Sequence, residues 1–183
     1  MFDIVLFEPE IPQNTGNIMR TCVGIGAKLH LIEPMGFKID EAKLRRSALD
    51  YYEHLDYVVH PDWESFAAKH PGRYLFLSRY GQKTYTDIDF TVIKEPLYLV
   101  FGKESTGIDK QILARHIKDT YRIPTNDKIR SLNLSNAVAI VSFEILRQQG
   151  FPGLDPHEPD SLKGSRFLDQ FITDEEGNNH EPT

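Results

Sequence analysis

The segment "PLYLVFGKESTG", Pro96–Gly107, is an apolar run that empties into a loop with two glycines five residues apart. A short run that is apolar at successive positions and stops at a turn reads as a strand buried on both faces, the kind that parallel sheets contain. Working outward, "DIVLF", "KLHLIE", "LDYVV", "RYLFLS" and "TYRIP" read as further strands. Between them, "NTGNIMRTCVGIG", "DEAKLRRSAL", "DWESFAAKH", "GIDKQILARH" and "SNAVAIVSFEILRQQ" read as helices. This alternation predicts an α/β fold: a mostly parallel sheet with helices on both faces. Ligands of such sheets bind beyond the carboxyl ends of the strands, so the loops leaving the strands carry the functional reading.

Three loops stand out. In "EPEIPQNTGNIMR", Glu8–Arg20, Asn14 or Thr15 can cap a helix that starts near Thr15, and Gly16 permits tight backbone geometry. Arg20 then lies one to two turns into the helix, within reach of a ligand at the loop. The second loop is Phe101–Gly107 itself. A phosphate-binding loop needs Gly-Lys-Ser/Thr after its spacer, but Gly107 is followed by Ile108 and Asp109. The dinucleotide fingerprint fails as well, because "GIGAKL" has Leu29 where the third glycine belongs. What remains is Glu104, a carboxylate between glycines, placed to accept N–H groups. The third loop, "RIPTNDKIRSLNLSNAVAI", offers Ser131, Asn133, Ser135 and Asn136 at the start of a long helix, more hydrogen-bonding groups than one cap requires.

Bulk properties narrow the class. At 183 residues one domain is expected. The chain has 21 basic and 27 acidic residues; 2 and 8 of these fall after Gly150, leaving 19 of each before it. The acidity thus belongs to the tail, and a balanced body still permits a local basic face. Residues 154–183, rich in Pro, Asp and Glu, read as a poorly ordered extension of a domain spanning 1–153, with one short helix around "SRFLDQF". No apolar stretch approaches the roughly 20 residues of a membrane span, and the start lacks a basic leader, so a cytoplasmic protein with no membrane partner is expected. Cys22 is alone and reads as a small helix side chain. The seven histidines show no ligand spacing, and no metal is expected.

Taken together, "NTGNIMR", "FGKESTG" and "IPTNDKIRSLNLSNA" resemble the three signature motifs of the SPOUT superfamily of RNA methyltransferases. The flanking "EPEIPQNTGN", "LIEPMGF" and "KLRRSALDY" are similar to its members that methylate the ribose 2′-OH of the tRNA wobble nucleotide. The resemblance spans roughly residues 1–153. It implies a C-terminal trefoil knot, a homodimer and S-adenosylmethionine as cofactor. By motif, the backbones of Leu77, Gly102, Ile123 and Ser131 would hold the cofactor, with Leu132 closing the pocket. Asn14 and Arg20 would face the target ribose, and Glu104 and Asn133 would complete the catalytic set. A guanidinium stays protonated, so Arg20 is expected to stabilise negative charge on the attacking oxygen rather than act as base.

The tRNA anticodon stem-loop is the partner so implied. Lys43, Arg45 and Arg46 form a basic turn, and Lys128 and Arg130 flank the third motif, where they can meet phosphates. Tyr51 and Tyr52 can stack on an unpaired base. Two other readings stay open: a methyltransferase for another tRNA or rRNA ribose, and a catalytically silent RNA-binding dimer.

Overall fold

The computed structural model describes residues 2–42 and 51–172. Its compact units are Met1–Gly150 and Phe151–Thr183. In the first, strands β1 (Phe2–Phe7), β2 (Leu29–Ile32), β3 (Tyr57–His60), β4 (Arg73–Leu77), β5 (Lys83–Thr84), β6 (Leu97–Gly102) and β7 (Thr120–Arg122) form one seven-stranded sheet. The order is β3-β2-β1-β6-β4-β7-β5 and the ladders are parallel. The expected strands are present; β5, only two residues long, is an addition that no periodicity could reveal. Every residue of β6 is buried, as the opening segment requires of a central strand.

Among the described residues four α-helices cover the sheet: α1 (Pro12–Ile25), α2 (Trp63–Lys69), α3 (Lys110–Arg115) and α4 (Leu134–Gln149); the helix expected over "DEAKLRRSAL" falls largely outside the described residues. Successive strand residues alternate between faces. Val5, Phe7, Phe76 and Val100 share one face with Trp63 and Phe66 of α2 and Ile112 and Leu113 of α3. The opposite positions Ile4, Leu6 and Leu99 are fully buried, and so are the apolar stripes of α1 (Ile18, Cys22) and α4 (Val138, Ile145), helices that pack together. Burial also pushes the Cys22 thiol pKa up to about 12. Asp62 caps α2 by accepting from the Ser65 amide at 2.7 Å, and Asp109 caps α3 through the Gln111 amide at 2.7 Å.

The first helix begins earlier than Thr15. Proline at its first position supplies a fixed φ and removes one orphan N–H, so the helix starts at Pro12 and Asn14 lies inside its first turn, 6% exposed. Gly16 is therefore a helical residue with no tight turn to make. Arg20 is correspondingly deeper, just over two turns in.

In the second unit the short helix expected around Ser165–Phe171 is a single 3-10 turn, Phe167–Phe171, with Leu168 and Phe171 exposed. Phe167 and Phe171 meet edge to face at 5.6 Å.

Candidate active site

The sheet order reverses around β1: β2 and β3 lie to one side, β6 and β4 to the other. Loops leaving β1, β4, β6 and β7 open onto one cavity of about 880 Å³ at the carboxyl ends of the strands. Three of them are held by a chain of side-chain hydrogen bonds. Asn133 Nδ2 donates to Asn14 Oδ1 at 2.9 Å, and Asn14 Nδ2 donates to Glu104 Oε1 at 3.0 Å. Glu104 also accepts from the backbone amides of Glu10 at 2.9 Å and Ile11 at 3.3 Å. Its carboxylate thus holds the two amides just ahead of α1, a helix that begins with no side-chain cap. Asn133 in turn caps α4, accepting from the Ser135 amide at 2.9 Å. Each amide is used at both ends, which fixes its orientation.

The loop after β6 is shaped by its glycines. Gly102 has φ +105°, and a Cβ there would come within 2.5 Å of the Phe7 carbonyl oxygen. Only glycine allows β6 to end so close to β1 and turn into the cavity. Beyond it, Lys103 pairs with Glu8, and Ser105 donates its amide at 2.8 Å and its hydroxyl at 2.7 Å to Glu10. Those two bonds hold the Glu10 carboxyl below the usual carboxylate range.

All five positions expected to hold a cofactor, Leu77, Gly102, Ile123, Ser131 and Leu132, line this cavity, as do Asn14, Glu104, Asn133 and Arg130. Arg20 does not line it: the side chain is exposed on α1, with its guanidinium carbon 5.7 Å from the centre of the Tyr51 ring. Lys43, Arg45 and Arg46 fall outside the described residues.

The cavity also holds groups that motif reading passed over. Arg79 and Tyr80 follow β4, and Arg122 ends β7. The Arg79 guanidinium donates to the Tyr80 hydroxyl at 2.7 Å and holds that phenol below its ordinary range. Arg122 Nε is buried with no hydrogen-bond partner among the described residues. All three stand where strands end, a position rule that could have flagged them.

S-adenosylmethionine fits this lining. Leu77, Ile123 and Leu132 offer apolar walls and adjacent backbone groups to an adenosyl moiety, and the unpaired Arg122 Nε is a donor suited to a carboxylate.

Fold and cavity together define a parallel α/β domain with a loop-lined cavity at the sheet's switch point and a glycine loop that is no phosphate loop. Residues 1–143 match the SpoU rRNA Methylase family, and the chain belongs to it. A tRNA (cytidine(34)-2′-O)-methyltransferase of Saccharophagus degradans is 47% identical over 155 residues, covering 84% of this chain and 99% of the relative. A solved structure concerned with 2-OH methylation of C/U34 on tRNA is 38% identical with a TM-score of 0.73, covering 82% of this chain and 97% of its own. An AdoMet-bound rRNA methyltransferase of Sinorhizobium meliloti is 25% identical with a TM-score of 0.69, covering 80% of this chain and 56% of its own.

Proposed function

We propose that this chain transfers a methyl group from S-adenosylmethionine to the ribose 2′-OH of the wobble nucleotide, cytidine or modified uridine, in the tRNA anticodon loop. The observation that carries the reading is the hydrogen-bonded chain Asn133–Asn14–Glu104, which joins all three motif loops at one cavity. When bound, the cofactor supplies an electrophilic methyl on a sulfonium. The chain's own task is to orient a poor nucleophile in line and to stabilise charge growing on its oxygen. Asn14 positions the ribose, while Glu104 and Asn133 fix Asn14. Arg20 faces the developing oxyanion as a charge-stabilising group, and the proton leaves to water, an RNA phosphate or another side chain.

Because Arg20 does not line the cavity of its own chain, the complete site belongs to a homodimer in which a second copy brings its Arg20 to the ribose. The exposed Ile11 (42%) and Phe143 (49%) supply apolar surface for that contact. A trefoil knot accords with the sheet order, since β6 enters between β1 and β4, and β7 between β4 and β5, after those strands are laid down. Arg130 at the cavity, together with Lys43, Arg45 and Arg46, meets anticodon-loop phosphates, and the reaction belongs to the cytoplasm. The catalytic domain is 1–153, and the acidic extension 154–183 lies outside the chemistry.

Purified protein, S-adenosylmethionine and an anticodon stem-loop should yield ribose methylation at position 34 by mass mapping. Calorimetry should show binding of the cofactor but not of ATP or NAD. Methylation of a different ribose would move the chain to the other substrate class, and RNA binding without transfer would make it a silent dimer.

A further inference from the structure

Sequence spacing hides one constellation that the fold assembles away from the cavity. His30 in β2, His60 at the end of β3 and His70 at the end of α2 each offer a ring nitrogen, and these atoms lie within 4.8 Å of one another. None of the three lines the cavity described above. We propose that His30, His60 and His70 form a binding site for a single zinc-type divalent transition-metal ion, with Asp3 orienting His30.

The hydrogen bonds fix the atoms that face the site. His30 Nε2 is 3.2 Å from Asp3 Oδ2, and His30 Nδ1 is 3.0 Å from His60 Nε2. A carboxylate only accepts, so the His30 proton sits on Nε2 and the lone pair of Nδ1 points into the cluster. A carboxylate behind one ring nitrogen and a metal at the other is the usual second partner of a metal-bound histidine. Without an ion, the proton on His60 Nε2 fills the contact with His30. Metal binding replaces that proton, and the His60 imidazole then carries its proton on Nδ1, so the ring stays neutral.

Dimensions and surroundings agree. Metal–nitrogen distances of about 2.0–2.1 Å place tetrahedral donors roughly 3.4 Å apart, a spacing between the 3.0 Å His30–His60 contact and the 4.8 Å within which all three ring nitrogens lie. His30 is 0% and His60 3% exposed, while His70 is only half-buried and leaves one side open for a water ligand and for entry. Phe66 stacks on His70 at 5.0 Å and meets His60 edge-on at 5.1 Å, which holds both rings. Burial first, and then the neighbouring His30, hold His60 and His70 below the ordinary histidine range. Lys28 is itself paired with Asp56 at 3.1 Å, which offsets its repulsion of a cation. An ion here would tie the edge strand β3 and its neighbour β2 to α2, and three nitrogen donors select a zinc-like ion over magnesium or calcium.

The test uses the full chain, stripped with a chelator and titrated with cobalt(II) and then zinc(II). One equivalent per chain, visible d–d absorption on cobalt addition and a raised melting temperature with zinc are expected. His70→Gln, chosen because the side chain is half-exposed, should keep the fold by circular dichroism and keep S-adenosylmethionine binding. It should lose the zinc-dependent rise in melting temperature and bind zinc at least about 10-fold more weakly; Asp3→Asn should weaken binding by about 10- to 100-fold. If the stripped wild-type chain takes up neither ion at micromolar concentration, or His70→Gln binds as the wild type does, the site does not exist.

Discussion

Asn14 spends both ends of its amide on residues remote in sequence, 119 and 90 positions away. That arrangement makes the relay sensitive to single atoms. Glu104→Gln preserves shape but turns one acceptor oxygen into a donor, which then faces Asn14 Nδ2 or the amides of Glu10 and Ile11. Leaving such a partly buried donor unpaired costs about 1–3 kcal/mol, so denaturant unfolding should show a loss of that size together with slower methyl transfer. Arg20 answers a different question. Arg20→Ala should slow single-turnover methylation of an anticodon stem-loop by about 100- to 1,000-fold, with cofactor affinity unchanged because Arg20 does not line the cavity of its own chain. Arg20→Lys should recover part of the rate, since an ammonium cannot reproduce the guanidinium fork. An unchanged rate in Arg20→Ala would make it an ordinary surface residue stacked near Tyr51. The sequence displayed Glu104 and Asn133 as polar groups beyond local needs and Asn14 as a cap that only the motif resemblance moved to the ribose, yet not their bonds to one another, because hydrogen bonding across 90 or more positions has no local signature. The histidine cluster was invisible too, because its three members sit on separate elements that only the fold brings together.

At the scale of elements, the end of β6 has little room for change. Gly102 sits at φ +105° with the Phe7 carbonyl where a side chain would begin. Gly102→Ala must strain that backbone or separate β6 from β1 beside the cavity. The expected result is a stability loss of at least about 1–3 kcal/mol and, by calorimetry, S-adenosylmethionine affinity reduced at least 10-fold. Cofactor binding equal to wild type would show that the loop can move without harm to the pocket. Strands and helices were largely legible, since β6 and its neighbours are apolar runs and α4 is long and amphipathic. Asn14 and Thr15 resemble caps and so suggest a later start of α1, but Asn14 turns its amide to Glu104 and Asn133 and the helix begins with no side-chain cap. Pro12 was the local signal that pointed to the true start.

For the molecule as a whole, the recognised motifs end by Gly153, so truncation there should leave a folded dimer that methylates RNA within a few-fold of the full chain. Filter binding should show tighter RNA association if the removed carboxylates repel phosphate. Loss of the dimer on sizing would instead make the extension structural. The sheet was predictable as parallel and α/β, but its strand order was not, because entry of a late strand between two early ones leaves no mark on hydrophobic period. The relay from Asn14 to Asn133 has a temporal consequence. During synthesis the first loop emerges long before its partners, and the cavity cannot close until the segment bearing Asn133 has cleared the ribosome. A nascent chain arrested before that point should therefore be protease-sensitive around Asn14 and unable to retain cofactor, so ligand occupancy can report completion of folding in the cell.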